Sequence, residues 1–165
     1  MTARLATVDL AGPDDRNLRA TGVFYLRDAV HNVSFDSVDA VVTVLDLLDS
    51  LGDDSMVHSL YLTPQGEPAS ANLRFQFNRD HQVAAAVLVA LDKQRRLHSW
   101  RTTGTAGRDD VTLVHDAWNP GDTVLPPESF ISVQALRSVV VEFAIGTGLP
   151  PGPVEWVAVP DVGWS

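Results

Sequence analysis

"VAAAVLVAL", residues Val83–Leu91, runs nine residues without a polar side chain. That is far short of the ~18 residues a membrane span needs. Such a run suits a strand buried on both faces, at the centre of a sheet. Its alanines leave a helix open as well, since periodicity alone does not separate the two. The neighbouring segments place it among strands.

Immediately upstream, Ala71–Asn78 alternates Leu73, Phe75 and Phe77 with polar residues, the period of a strand. The turn "NRDH" joins it to Val83. Before it, Met56–Thr63 reads as a further strand, closed by the turn "TPQGEP". Downstream, Leu97–Thr103 and Val111–Trp118 read as strands separated by "GTAGRDD", with "NPGD" and "LPPES" as loops. Arg4–Leu10 makes a first strand, followed by the turn-like "AGPDDR"; Gly22–Val33, rich in β-branched and aromatic residues, reads as one strand, and Val154–Val159 as the last.

Two segments change period. From Ser37 to Leu51, the residues Val41, Val44, Leu45, Leu48 and Leu51 recur at helical spacing, with Asp36 or Ser37 to cap the start and Gly52 to close the end. On the opposite side Asp39, Asp46, Asp49 and Asp53 fall within about a quarter turn, and no basic residue stands three or four positions away to relieve them. Ser132 offers a cap for a second helix through Ile145, with Val133, Leu136, Val140, Phe143 and Ala144 inward and Gly146 and Gly148 as its stop. The expected fold is α+β: a mostly antiparallel sheet of about six or seven strands with two amphipathic helices packed on it. Strands crowd the middle without helices between them, which disfavours a parallel arrangement.

At 165 residues the chain fits one domain, residues 1–165. No cysteine is present, which removes disulfides, thiolate metal sites and cysteine nucleophiles. The formal charge is −9, and between Asp28 and Leu73 there is no Lys or Arg at all. Such a surface repels nucleic acid and anionic membranes and attracts basic proteins. The N-terminus lacks the basic-then-apolar order of a signal peptide, so a cytoplasmic location is expected.

Chemistry is hard to place. The histidines His31, His58, His81, His98 and His115 form neither HxH nor HExxH, and no GxSxG elbow occurs. The carboxylates lie in turns or on a solvated helix face, where nothing raises a pKa. "DKQRR", Asp92–Arg96, is a short basic turn in an acidic chain. In "GTGLPPGPVEW", Gly146–Trp156, the glycines follow a helix and precede a strand. A phosphate cradle has the opposite polarity, and Pro150 and Pro151 remove amide donors, so this is a helix stop and turn. No catalytic residue, metal site or cofactor is expected. Trp156 alternates with apolar neighbours and reads as core. Trp100 and Trp118 stand near strand ends, where an amphipathic aromatic can pack inward or anchor a partner. Trp164 lies in the tail.

The order of segments is distinctive. "SFDSVDAVVTVLDLL" precedes strands around "HSLYLT" and "NLRFQFN"; then come "LHSW", "VLPPESFIS", the helix "VQALRSVVVEFAIGTG" and "LPPGPVEW". From about Val23 to Trp156 this resembles the first-described family of immunity proteins from bacterial polymorphic toxin systems, whose genes typically neighbour toxins of the deaminase superfamily. Met1–Arg19 then reads as an N-terminal extension and Pro160–Ser165 as a tail.

The resemblance implies a protein that is not an enzyme and that neutralises a cognate, basic, deaminase-like toxin domain by stoichiometric occlusion, without nucleic acid or membrane as partner. The candidate interface residues are Asp46, Asp49, Asp53 and Asp54 for electrostatic steering, with Trp100 and Trp118 as anchors. Two alternatives stand beside it. One is a small-ligand-binding or enzymatic domain with a cleft between sheet and helices. The other is a homo-oligomer through Val141 and Ile145.

Overall fold

A computed structural model describes residues 18–27, 29–35, 37–64, 68–145, 149–160 and 162. The expected strand Arg4–Leu10, the helix-stop glycines Gly146 and Gly148, Asp36 and Trp164 lie outside the described residues. The elements in chain order are β1 (Leu18–Leu26), β2 (Ala29–Phe35), α1 (Val38–Leu51), β3 (His58–Pro64), β4 (Ala71–Asn78) and β5 (Val83–Leu91). They continue with β6 (Leu97–Thr103), β7 (Leu113–Val114), β8 (Val124–Leu125), β9 (Ile131–Ser132), α2 (Val133–Ile145) and β10 (Glu155–Ala158).

Val83–Leu91 is a strand. It is an interior strand, next to the central β4, of an antiparallel sheet ordered β10-β6-β5-β4-β3-β1-β2, with β9 also pairing β5. Along one side, β5 pairs β6 through Val87–Leu91 and β9 through Val83 and Ala84. The gap between them is bridged by Thr102, whose Oγ1 accepts the Ala86 amide at 3.1 Å and donates to the Ser129 carbonyl at 2.7 Å. A buried amide left open by the change of partner is thus satisfied by a side chain.

The fold is the expected α+β arrangement, with the short strands β8 and β9 added where no strand was expected and two of the expected strands changed. Gly22–Val33 is a hairpin rather than one strand: only Arg27 and Asp28 separate β1 from β2, and Arg27 takes φ 54°, the left-handed conformation of a two-residue hairpin turn. No Gly or Asn marks it, so the turn is hidden in sequence. The expected strand Val111–Trp118 shrinks to β7, paired only with β8, because the rest turns back into a loop.

Each helix turns its predicted stripe towards one face of the sheet. In α1 Val41, Leu45 and Leu48 are buried and Val44 and Leu51 half-buried; in α2 Val133, Leu136, Val140 and Phe143 are buried and Ala144 half-buried, and Val139, outside the expected stripe, is buried as well. Ser37 Oγ accepts the Ala40 amide at 3.2 Å and Ser132 Oγ the Ala135 amide at 3.0 Å. Gly52 ends α1 with its N–H on Leu48 O; a Cβ there would meet that oxygen at 2.6 Å and the Phe77 ring at 2.7 Å. The requirement is close approach, not backbone angle.

On β5 the split between faces explains the composition. Ala84, Ala86, Leu88 and Ala90 face the helices, where small side chains admit a close helix, and Val83, Ala85, Val87 and Val89 face a second cluster. Val111, Leu113, Leu125 and Phe130, from the segment between β6 and α2, complete that cluster, and Val162 packs against it. No helix among the described residues is long and apolar enough to cross a membrane.

Candidate partner-binding surface

The acidic ridge exists but is partly neutralised from outside its own helix. Arg137 of α2 reaches across, with Nη2 on Asp46 Oδ1 at 2.8 Å and Nη1 on Asp49 Oδ2. Asp54, in the turn after α1, accepts from Arg79 Nε and from the Arg79 amide, both at 3.0 Å. Asp53 is held by its own turn: hydrogen bonds from the Ser55 hydroxyl and amide lower its pKa. Five carboxylates, counting Asp39, therefore meet two guanidinium groups. The Arg137 pairs lie at the surface and each contributes about 0–1 kcal/mol; the Arg79–Asp54 pair is half-buried. The region keeps a negative balance.

The two tryptophan candidates part company. Trp100 is 3% exposed and belongs to the helix-side core. A residue so enclosed has no surface to offer a partner. It sits two strands from the sheet centre, where the alternation of β6 turns it inward. Trp118 is 80% exposed. Its loop is nonetheless tightly built: Trp118 N–H donates to Asp116 Oδ1 at 2.9 Å, His115 N–H to Thr123 O at 3.0 Å, and Asp116 N–H to Thr123 Oγ1 at 3.2 Å. Trp156 is core, as its alternation predicts, and donates its indole N–H to Pro151 O at 2.8 Å. The segment before it runs from helix to strand, the polarity of a turn rather than a phosphate cradle.

Beside Trp118 lies a hollow of about 270 Å³ on the helix-free face, lined by Val23, Tyr25, Ser59, Tyr61, Arg74 and His115 among others. Ligand pockets usually run ~300–1,000 Å³, so this is a shallow recess suited to single side chains. Arg74 is 5% exposed; burial lowers its pKa, opposed by the nearby Asp116. Burial, then the charge of Arg74, lower that of His115. None of these lining residues is evident as a group in the sequence. The only local signal is the polar half of β4, Asn72, Arg74 and Gln76, whose alternation implies a solvent-facing side. All three are buried instead. Gln76 shows why: its Oε1 accepts the Val114 amide at 2.8 Å and its Nε2 donates to Asp54 O at 3.1 Å, so it ties the covering loop to the sheet.

Two buried titratable residues elsewhere, Asp92 and His58, have structural work. Asp92 is buried at the β5–β6 turn; burial raises its pKa, but hydrogen bonds from His98 and Arg96 outweigh this and bring it to about 2. Within the basic turn Asp92–Arg96, the Arg96 amide and guanidinium both donate to the Asp92 carboxylate, while Lys93, Arg95 and Arg96 remain exposed. His58 is fully buried among Phe24, Phe75 and Phe77, its Nδ1 accepting the Tyr25 amide at 3.1 Å. Burial pushes it down to about 4, with Asp53 pulling weakly the other way. Among the described residues no group of His, Asp and Glu could hold a metal ion.

The surface thus carries an exposed aromatic on a braced loop and an acidic flank. The family model "Immunity protein Imm1" matches residues 30–158. The chain belongs to that family and is an immunity protein, which implies a toxin as its partner. No curated protein matches it. Among solved structures, a hypothetical protein from Neisseria gonorrhoeae is similar at 11% identity and a TM-score of 0.47, over 79% of this chain and 89% of that one.

Proposed function

We propose that this chain neutralises its cognate toxin by stoichiometric occlusion, making and breaking no covalent bond, and that the toxin is a basic domain acting on nucleic acid or nucleotides, of the deaminase class. The observation that carries the reading is Trp118, an indole 80% exposed on a loop pinned by hydrogen bonds beside a recess. Because the loop is already ordered, burying that ring against a partner costs little conformational entropy. Aromatic anchors of this kind dominate interface energetics.

The net charge of −9 supports a basic partner. A toxin that grips a phosphate backbone presents positive charge, and Asp46, Asp49, Asp53 and Asp54 supply a field that accelerates encounter at low salt.

The test uses the cognate toxin domain, to be sought in the gene next to the one that encodes this chain. Trp118→Ala is expected to weaken binding by about 30-fold or more while leaving the fold intact. Reversing Asp46, Asp49 and Asp53 to Lys is expected to slow association and flatten its salt dependence. Cells that carry the chain yet die from that toxin as readily as cells without it would sink the proposal.

A further inference from the structure

The two ends of the sheet differ in how they meet solvent. An unpaired strand edge is a template for another chain, and proteins usually blunt it with charge, proline or shortness. β10 has all three: four residues, Glu155 at its start, and Pro153 and Pro160 close on either side. β2 has none. Its seven residues, "AVHNVSF", contain no Lys, Arg, Asp, Glu or Pro, and Ala29–Asn32 are exposed, Val30 at 55%. Among the described residues no strand pairs its outer edge.

The register shows which backbone groups that edge offers. Tyr25 aims both its main-chain groups away from β2: its N–H donates to His58 Nδ1 and its carbonyl accepts the Asp53 amide at 2.9 Å. Tyr25 pairs with Val30, so this is a non-hydrogen-bonded pair, and Val30 turns its own N–H and C=O outward. By alternation Asn32 and Ser34 do the same. Their side chains share the sheet face of their partners Val23 and Thr21, and Val23 and Tyr25 line the recess beside Trp118. The edge, unpaired among the described residues, therefore continues into the surface proposed above for the toxin.

We propose that β2 is a docking edge onto which an extended segment of the toxin adds as a further strand, ladder-bonded to Val30, Asn32 and Ser34. This rests on the toxin-binding reading. The occupant is another protein rather than a second copy, because each copy carries a net charge of −9 and would repel its twin, whereas a basic toxin is drawn to the flank. Backbone pairing supplies affinity that depends little on side-chain identity.

Amide hydrogen exchange on the full chain, with and without its cognate toxin domain, reads this directly. The amides of Val30, Asn32 and Ser34 are expected to slow at least tenfold in the complex. Asn32→Pro removes one outward N–H at an edge position where proline is tolerated, and is expected to weaken binding about tenfold or more. Asn32→Ala, which keeps the backbone donor, is expected to bind within about twofold of the parent. A complex in which these three amides exchange as they do in the free chain overturns strand addition and leaves toxin binding standing. If the parent chain forms no complex, both fall. Protection that appears with rising protein concentration and no toxin assigns the edge to a second copy and overturns the proposal. Should Asn32→Pro fail to fold, the exchange of the parent chain still decides.

Discussion

The two faces of the sheet are made by the same strands and are closed in different ways. On the helix side, Phe24, Leu60, Leu73, Phe75, Leu88 and Phe143 form a continuous apolar layer beneath α1 and α2. On the other side only the β5 end is sealed, by Val111, Leu113, Leu125 and Phe130 from a long loop segment. Towards β1 and β2 that face stays open, with Tyr25, Tyr61 and Arg74 around a recess and Trp118 at its rim. One face holds the fold together; the other is braced by polar contacts and left available.

If that division is right, substitutions on the two faces should separate stability from binding. Phe143→Ala, a fully buried ring on the closed face, is expected to cost about 3–5 kcal/mol in urea unfolding. Trp118→Ala on the open face should change stability by less than about 0.5 kcal/mol. Equal losses would mean that the loop is part of the core.

Next in size is His58, which sits on the closed face among phenylalanines. The unfolded chain takes up a proton there from about pH 6.5, while the folded chain resists until about 4. The unfolded state thus binds more protons in that window, so this contribution is complete above pH 6.5 and is lost as pH falls towards 4. It amounts to about 3 kcal/mol. His58→Gln keeps an acceptor for the Tyr25 amide and removes the titration. Its unfolding free energy should lack that part of the slope between pH 6.5 and 4, and an identical slope in both proteins would place the acid sensitivity elsewhere.

A smaller loss than at Phe143 or His58 is expected at the brace. Gln76→Ala leaves the Val114 amide without its acceptor and is expected to cost about 1–3 kcal/mol. Hydrogen exchange should rise around Val111–Asp116 while the amides beneath α1 and α2 keep their protection. Uniform acceleration would show the two faces to be one cooperative unit.

Much of this architecture was legible from periodicity. The stripes of α1 and α2, their serine caps and the double-sided apolar run of β5 are short-range patterns, and burial follows from them; the alternation of β4 marked it as a strand but not that its polar side is covered. The Arg27–Asp28 hairpin was not, because Arg27 adopts φ 54° without the glycine or asparagine that usually signals it. The acidic ridge was visible, but its partners were not: Arg137 lies 88 residues beyond Asp49.

Composition and local pattern were enough to establish an acidic α+β chain without a recognisable catalytic motif, because hydrophobic period and net charge are properties of neighbours in sequence. Which tryptophan is covered, which aspartates are paired and which sheet edge lies open were settled by folding. Each depends on what a distant segment brings alongside: α2 over the ridge, the β6–α2 segment over half of one face, and no strand beyond β2 among the described residues. Contacts of that range leave no periodic trace in the chain.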